Sequence, residues 1–309
     1  MFCVLFIALV GSRIIPDTLV DDSILTIDGL SIMRPTVALN WNGDLYIGDE
    51  NAKRIFVRRK DGTLVTIGKP GHGPGEFVNH PENLFVKKNV LVIEEWNRWR
   101  EYYFDQNGTF INSRMLEPFV YEYHGKKYRK LLAEEAIKVG FLYEMVGSGG
   151  QICQMISRDY EGLHQTRGSL KEGPNQTVVA FKKSGEIEVY GIDATKLYEM
   201  KLPMEPFKKK MVVDAFSSKI TQAMGGAGQA FSGGIPLLDG AVASLTQIWV
   251  LCHNENLEDQ YFLFEVDVIK GQILSRTDLD QPFTRITLHQ GVLALVSPDT
   301  STVMTYRTQ

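Results

Sequence analysis

The chain has 309 residues, of which 44% are hydrophobic and 23% are charged, and its formal net charge is −4 at pH 7. A hydrophobic fraction of this size supplies a substantial core and excludes a wholly disordered chain. The slightly acidic balance excludes the strongly basic surface that general nucleic-acid binders carry.

The first ten residues, MFCVLFIALV, are apolar, and the run ends at Gly11-Ser12-Arg13. This length is typical of the hydrophobic part of a signal peptide, whereas a membrane span needs about 20 residues. No Lys or Arg precedes the run and no A-x-A cleavage site follows it, so an ordinary strand stays open as the alternative. We expect residues 1–12 to be an export signal that sends the protein to the periplasm, the cell surface or the medium, and we expect no transmembrane span.

Two consecutive segments of the chain repeat at an offset of 46 residues. The identical pairs are Pro35 with Pro81, Leu45 with Leu91, Asn51 with Asn97, Arg54 with Arg100, Gly62 with Gly108 and Thr63 with Thr109. Short β-type runs alternate with turn residues in each unit, and dipeptides such as Asn42-Gly43 are strong hairpin signals. Four strands in about 45 residues is the size of one propeller blade.

The rest of the chain divides in the same way, with three strands in 177–203, four in 240–279 and three in 284–307. A strand near residues 23–31 can complete the last unit, because pairing the N-terminal strand with the C-terminal blade removes two open sheet edges. The sequence therefore predicts an all-β fold, a single six-bladed β-propeller of four-stranded antiparallel blades over residues 22–309. This division assigns the third blade to residues 139–172, with insertions near 121–140, where the pattern predicts a helix, and near 204–236.

The stretch DLYIGDENAKRIFVRRKDGTLVTIGKPGHGPGEFVNHPENLFV resembles an NHL repeat. The shared pattern is a strand ending in Asp, an Asn-x-x-Arg-Ile segment, an aromatic strand, Asp-Gly and a Gly-Pro-Gly-Glu-Phe linker. The second unit, EEWNRWREYYFDQNGTF, is similar, but Glu95 replaces the Asp and Glu101 replaces the Ile. The resemblance to NHL-like bacterial propellers implies six blades and frequent export. It leaves the activity open, since such propellers include RNA-binding and protein-binding domains, sensors, lyases and calcium-dependent hydrolases.

The segment GKPGHGPGEFVNHP, residues 68–81, contains four glycines and three prolines. A phosphate-binding loop would need Gly-Lys-Ser/Thr after a strand, or a GxGxxG that opens a helix. Neither context is present, and Pro74 removes an N–H group that a phosphate would need. The segment is therefore predicted to link two blades, with Phe77 anchored in the core.

The spacing of the remaining charged, cysteine and histidine residues favours structural roles for them. The Asp49/Arg54 and Glu95/Arg100 pairs have the same spacing in both units, which indicates structural ion pairs rather than catalytic groups. Cys153 and Cys252 are predicted to be buried thiols, with a disulfide as the alternative. The six histidines have no HxH or HExxH spacing, so no metal-ligating or catalytic residue is assigned.

In a propeller the innermost strands begin around the mouth of the central channel. The candidate ligand-binding residues at these positions are His80, Glu82, Asn83, Asp239 and Arg285, with Arg34 and Gln176 as further mouth residues. Trp96 and Trp99 complete the candidate set, because aromatic side chains interleaved with Arg are typical of binding surfaces. A solvated rim and, for the tryptophans, a core position are the alternatives. Oxygen ligands at the mouth also keep a calcium ion open as a cofactor.

These features favour a non-catalytic binding module or scaffold that recognises a protein, peptide or glycan on one face. The alternatives are a calcium- or zinc-dependent lyase or hydrolase with its site at the channel mouth, and an RNA-binding NHL-type propeller. The short basic clusters at 126–130 and 208–210 are balanced by nearby acidic residues, so nucleic acid is the less favoured partner.

Overall fold

The computed structural model describes residues 15–20, 26–27, 30–32, 34–95, 100–117, 119–154, 168–173, 175–182, 186–202, 237–242, 247–254, 260–279, 283, 285–297 and 302–307. These residues form six four-stranded antiparallel sheets arranged as the blades of a propeller. The predicted fold class is confirmed. No helix in the described ranges is long and apolar enough to cross a membrane.

The first half of the chain forms three blades in succession. It begins with β1 (Ile15–Val20) and the paired short strands β2 (Thr26–Ile27) and β3 (Leu30–Ser31). Blade 1 contains β4 (Pro35–Trp41), β5 (Asp44–Asp49), β6 (Arg54–Arg58) and β7 (Leu64–Ile67). After the short strands β8 (Lys69–Pro70) and β9 (Glu76–Phe77), blade 2 contains β10 (Pro81–Lys87), β11 (Val90–Glu95), β12 (Arg100–Phe104) and β13 (Phe110–Met115). Blade 3 contains β14 (Val120–Tyr123), β15 (Lys126–Lys130), helix α1 (Ala133–Val139), β16 (Phe141–Met145) and β17 (Gln151–Gln154).

The second half supplies the other three blades. Blade 4 contains β18 (Gly168–Glu172), β19 (Thr177–Lys182), β20 (Glu186–Gly191) and β21 (Lys196–Lys201). Blade 5 contains β22 (Leu237–Val242), β23 (Gln247–Asn254), β24 (Gln260–Asp267) and β25 (Gln272–Leu279). Blade 6 contains β26 (Arg285–His289), β27 (Val292–Ser297) and β28 (Thr302–Arg307), and β1 is its fourth strand.

The ring closes through β1, which pairs antiparallel with β28 from Ile15 opposite Arg307 to Val20 opposite Val303. Closure by an N-terminal strand on the C-terminal blade is therefore confirmed, but the predicted strand at 23–31 is wrong. Part of that segment forms the separate β2–β3 pair, in which Ile27 lies opposite Leu30. The intervening Asp-Gly dipeptide favours a tight two-residue turn, which accounts for the local pairing.

The predicted position of the third blade is also wrong. Its strands lie within 120–154 rather than 139–172, so residues 121–130 belong to the blade and not to an insertion. His124 and Gly125, with φ angles of +49° and +72°, form the turn between β14 and β15. The helix predicted within 121–140 is present but short, because within that segment only α1, between β15 and β16, is helical. The expected insertion at 204–236 and the expected signal at 1–12 lie outside the described residues.

Blades 1 and 2, which repeat at 46 residues, each contain a buried carboxylate at the same position. Asp49 is fully buried and accepts hydrogen bonds from the backbone N–H groups of Arg34 (2.8 Å) and Ala52 (2.7 Å). Glu95 is buried in blade 2 and accepts one from the N–H of Asn79. Both carboxylates therefore hold the chain where it enters the first strand of their own blade.

The glycine-rich linker between these blades is anchored by Phe77. Its side chain is completely buried, and its ring meets Tyr102 edge-on at 4.9 Å between centroids. Gly68 has a φ of +71°, and a Cβ at this position would overlap the Phe77 ring. The carboxylate of Glu76 accepts a hydrogen bond from the N–H of Gly73 (2.7 Å). The Glu76 side chain therefore occupies the position in the loop that a bound anion would need.

The inner strands of the blades begin at one end of the ring, which we call the mouth face. The hydroxyl of Thr36 in β4 donates to the carbonyl of Pro81 in β10 (2.5 Å), and that of Thr287 in β26 donates to the carbonyl of Ala38. These contacts align the three inner strands side by side in the same direction. The turns within each pair β4–β5, β10–β11 and β14–β15 consequently lie at the opposite face.

Hydrophobic cores fill five of the six junctions between blades. The clusters lie between blades 1 and 2, 3 and 4, 4 and 5, 5 and 6, and 6 and 1, with Phe77, Tyr143, Phe264, Phe283 and Phe56 among their largest buried members. Cys153 and Cys252 are buried within two of these clusters and form no disulfide. Among the described residues, no such cluster occupies the junction between blades 2 and 3.

A buried polar network stabilises blade 4. The Tyr190 hydroxyl donates to Glu188 (2.6 Å) and accepts a hydrogen bond from the N–H of Cys153 in blade 3 (2.9 Å), while Lys196 pairs with Glu188 at 2.9 Å. We expect Tyr190→Phe to lower the free energy of unfolding by about 1–3 kcal/mol, because two buried polar groups lose their partner. Chemical denaturation measures this change. Tyr198→Phe is the matched control, since the Tyr198 hydroxyl is buried without a hydrogen bond within the described structure, and we expect it to be neutral or slightly stabilising.

Candidate functional site

The channel mouth is crossed by an ion pair between two non-adjacent blades. Arg285, the first residue of β26 in blade 6, lies 3.2 Å from the carboxylate of Glu82 in β10 of blade 2. The pair therefore passes in front of blade 1. Both side chains are partly exposed, at 37% and 27%, so each is accessible to a ligand. The structure thus brings together two of the predicted mouth residues.

His80 and Arg34 lie at the same edge of the mouth. Arg34 pairs with Glu50 at 3.2 Å. Burial lowers the pKa of His80, and the positive charges of Arg285 and Arg34 lower it further, while the charge of Glu50 raises it. His80 is consequently a neutral imidazole at neutral pH, able both to donate and to accept a hydrogen bond.

Asn83 joins the mouth to the junction between blades 2 and 3. Its amide donates to the carboxylate of Glu94, directly opposite in β11, at 2.9 Å. On its other side Glu94 lies opposite Glu101 of β12. Burial raises the pKa of Glu94, the hydrogen bond from Asn83 opposes this rise, and the like charge of Glu101 adds to it.

Glu101 is buried at the same junction, where an apolar core would otherwise lie. It accepts hydrogen bonds from the Tyr103 hydroxyl and from Arg114 of β13. Burial and the hydrogen bond to Glu101 raise the pKa of Tyr103 to about 12. Blade 2 therefore presents a row of polar groups, from Asn83 through Glu94 to Glu101 and Arg114, toward blade 3.

Tyr121 of β14 in blade 3 packs against the core between blades 3 and 4. Its ring stacks against Tyr123 at 6.4 Å between centroids and meets Tyr143 edge-on at 6.0 Å, so its position is fixed by aromatic packing. Burial raises the pKa of Tyr121, and the charges of Glu94 and Glu82 raise it further. Lys171 of blade 4 lies near enough for its charge to lower the pKa of Glu94.

Glu94, Tyr121 and Lys171 were not among the predicted site residues. Glu94 is the penultimate residue of β11, and the pairing of β10 with β11 in blade 2 identifies it as the partner of Asn83. Tyr121 and Lys171 could have been identified only with the correct boundaries of blades 3 and 4. Gln176, a predicted mouth residue, instead lies in the turn between β18 and β19 at the opposite face, with a φ of +58°.

The remaining predicted residues are only partly located. Asp239 lies in β22, the inner strand of blade 5, where the backbone but not the side chain is described. Trp96 and Trp99 lie outside the described residues. The residues that flank them, Glu95 at the end of β11 and Arg100 at the start of β12, lie opposite each other in the sheet at the mouth face.

Three apolar side chains are exposed on the mouth face beside blades 2 and 3. Met115, Leu132 and Phe119 are 63%, 58% and 43% exposed, and we call them the apolar shelf. Arg100 donates a hydrogen bond to the Met115 sulfur at 3.2 Å, and the N–H of Lys130 donates to the Phe119 carbonyl at 2.7 Å. Of these three, Met115 directly follows Arg114, the last member of the polar row, in β13.

Within the described ranges, no three or more His, Cys, Asp or Glu side chains converge in an arrangement that could hold a metal ion.

No protein-family model matches the chain, and no curated protein matches its sequence. Its fold is similar to that of a solved Bacteroides fragilis protein described as exported, with a TM-score of 0.54 and 12% identity, over 93% of this chain and 94% of that chain. It is also similar to a member of the DUF4221 family from Bacteroides vulgatus, with a TM-score of 0.51 and 9% identity, over 96% of this chain and 98% of that chain. At these identities the likeness establishes a shared fold and not a shared activity.

Proposed function

We propose that this propeller is a non-catalytic binding module that recognises a protein, peptide or glycan on its mouth face. The observation that carries the proposal is the polar junction between blades 2 and 3, where five other junctions are filled by apolar cores. Glu94 is partly buried and accepts only the Asn83 amide among the described residues, which costs stability. A ligand that pairs with Glu94 would offset this cost, whereas Glu101 is already paired with Tyr103 and Arg114.

Within this proposal the predicted residues act together. Glu82, Asn83, His80 and Arg285 form the channel side of the proposed site, and Trp96 and Trp99, which follow β11 in the sequence, are its proposed aromatic members. Aromatic residues together with arginine and surrounding polar groups are typical of recognition surfaces.

We further propose that the protein is an NHL-like propeller and that it is exported. The 46-residue register of blades 1 and 2 and the buried Phe77 linker support the first point. The apolar N-terminal run supports the second, and the Bacteroides fragilis protein described as exported shares the fold. The described strand β1 begins at Ile15, so removal of residues 1–12 would leave the ring complete.

Reversing one charge of the mouth ion pair tests this site. We expect Arg285→Glu to weaken binding of the best ligand from glycan and peptide arrays about tenfold, because charge complementarity at the mouth is lost. Stability should change by no more than about 1 kcal/mol, since the pair is partly exposed. Isothermal titration and thermal melting measure the two effects.

Arg59→Glu is the matched control for this test. Arg59 pairs with Asp44 at 2.8 Å with comparable exposure, but at the opposite face. Equal losses of affinity in both variants, or no loss in Arg285→Glu, would contradict a ligand site at the mouth.

A further inference from the structure

The face opposite the mouth carries lysines at the inner hairpins of three neighbouring blades. Lys87 and Lys88 lie at the β10–β11 turn, and Lys126 lies at the β14–β15 turn. Lys60 comes from the β6–β7 turn and lies across Gly43 of the β4–β5 turn, where a Cβ would overlap its Cε atom. All four lysines are exposed, and none forms an ion pair within the described residues. We call these four residues the lysine patch.

Contacts between turns bring this part of the surface together. Arg59 of the β6–β7 turn donates a hydrogen bond to the Gln106 carbonyl in the β12–β13 turn at 3.4 Å, which joins blade 1 to blade 2. In blade 3 the N–H of Val146, in the β16–β17 turn, donates to the carbonyl of Lys127 at 2.9 Å, beside the lysine patch. Three of the turns project into open space, which a Cβ added at their glycines would enter; these are Gly62, Gly125 and Gly147.

The charge of this surface is positive, although the chain as a whole has a net charge of −4. The six turns of blades 1–3 at this face, counted with one strand residue on each side, contain six cationic and three acidic residues. The cations are Arg58, Arg59 and the lysine patch, and the acids are Asp44, Asp61 and Asp105. Asp44 is already paired with Arg59 at 2.8 Å. The rest of the molecule is therefore acidic, and an anionic partner is attracted to this face in particular.

Aliphatic side chains are exposed among these cations. Val146 is 50% exposed in its turn, and Ile111 is 51% exposed two residues after the β12–β13 turn. No described aromatic side chain of this face is exposed, whereas surfaces that bind single-stranded nucleic acid stack bases on aromatic residues. Lysines interspersed with aliphatic side chains are typical of surfaces that lie on an anionic lipid bilayer.

We propose that the protein lies on an anionic membrane surface, with the lysine patch and Val146 against the lipid headgroups. This inference goes beyond the proposed function, because it uses the face opposite the mouth. Each lysine near an anionic bilayer raises the affinity about fivefold, and Val146 adds apolar area that the headgroup region covers. In this orientation the mouth faces away from the bilayer and stays accessible to a ligand.

Vesicle co-sedimentation of the full chain tests this inference. The probes are vesicles of phosphatidylcholine alone and vesicles in which about one-third of the lipid is phosphatidylglycerol. We expect the chain to bind the anionic vesicles at least about tenfold more tightly than the neutral ones, and we expect about 0.5 M NaCl to remove most of that difference. The neutral vesicles measure binding that does not depend on charge, including any binding through the apolar run at residues 1–12.

Two double variants with the same change in net charge assign the binding to this face. Lys87→Gln/Lys88→Gln should weaken binding to the anionic vesicles about 20- to 30-fold. Lys138→Gln/Lys201→Gln removes two exposed lysines at the mouth end, one in α1 and one at the end of β21, and should change that affinity less than about threefold. Val146→Ser should weaken the binding severalfold, because less apolar area enters the headgroup region.

The outcomes separate this inference from its competitors and from the proposed function. Equal binding to the two kinds of vesicle, or equal losses in the two double variants, would overturn the membrane surface. Polyglutamate or single-stranded RNA that binds through the lysine patch, without sedimentation by anionic vesicles, would also overturn it and identify an acidic macromolecule as the partner. Arg285→Glu, which tests the mouth, should leave vesicle binding unchanged, so the two proposals can fail separately.

Discussion

Removing residues 1–20, and with them β1, should lower the free energy of unfolding by about 5 kcal/mol and the melting temperature by roughly 10–20 °C. Each backbone hydrogen bond of a ladder contributes about 1 kcal/mol net, and β1 pairs with β28 along its whole length. The deletion also leaves β28, which contains the buried Val303 and Tyr306, as an open edge. Such an edge promotes association between chains, so size-exclusion chromatography should show soluble oligomers or aggregate.

A shorter deletion provides the control for ring closure. Removing residues 1–12 takes away the apolar run and keeps β1, so we expect the melting temperature to match that of the full chain. If the 1–20 deletion melts at the same temperature as the 1–12 deletion, the pairing of β1 with β28 does not hold the ring closed.

The sequence predicted the first two blades well because their turns are specified by local chemistry. Asn42, with a φ of +53°, and Gly62, with a φ of +85°, adopt the left-handed conformations that Asn-Gly and Asp-Gly dipeptides favour. Repetition at 46 residues then fixed the strands of blade 2 from those of blade 1. The same reasoning identified the linker and its anchor, Phe77.

Prediction failed where strand sequences lack the usual alternation of polar and apolar residues. The segment 126–130, Lys-Lys-Tyr-Arg-Lys, buries only Tyr128 fully, so its charges concealed strand β15. Its strand structure comes from pairing with β14 and β16, a tertiary effect that exceeds local propensity. One misplaced blade then displaced the expected positions of the next inner strand, including the residue at 176.

The candidate site was predictable only in part for the same reason. Positions at the start of inner strands can be found from the register, which gave Glu82, Asn83 and Arg285. The contact between Glu82 and Arg285 links residues 203 positions apart and follows from ring closure, which no local pattern encodes. The polar row of Asn83, Glu94 and Glu101 depends on the register of three strands, and it lies at a junction where an apolar core is usual.

Phe77→Ala should lower the free energy of unfolding by about 3–5 kcal/mol, the usual cost of removing a fully buried phenylalanine ring. The ring packs between Tyr102 and Phe104, at 4.9 Å and 6.2 Å between centroids, and the cavity it leaves lies between two blades whose backbones are held by their own ladders. The neighbours can therefore collapse only partly into the space. Equilibrium denaturation in urea measures the loss.

The same substitution should also weaken ligand binding, because Phe77 anchors the segment that leads into His80, Glu82 and Asn83. Lys53 of blade 1 donates a hydrogen bond to the Val78 carbonyl at 2.8 Å, next to Phe77. We expect this hydrogen bond to weaken when the Phe77 ring no longer fixes the position of Val78. Trp41→Ala is the matched control: its ring is buried in the same cluster and lies 5.8 Å from the Tyr46 ring, at the end of β4 that is opposite the mouth. We expect it to cost a similar amount of stability and to leave affinity unchanged. A Phe77→Ala protein that loses stability yet binds its ligand with full affinity would show that the mouth residues are positioned by their own strands and not by the linker.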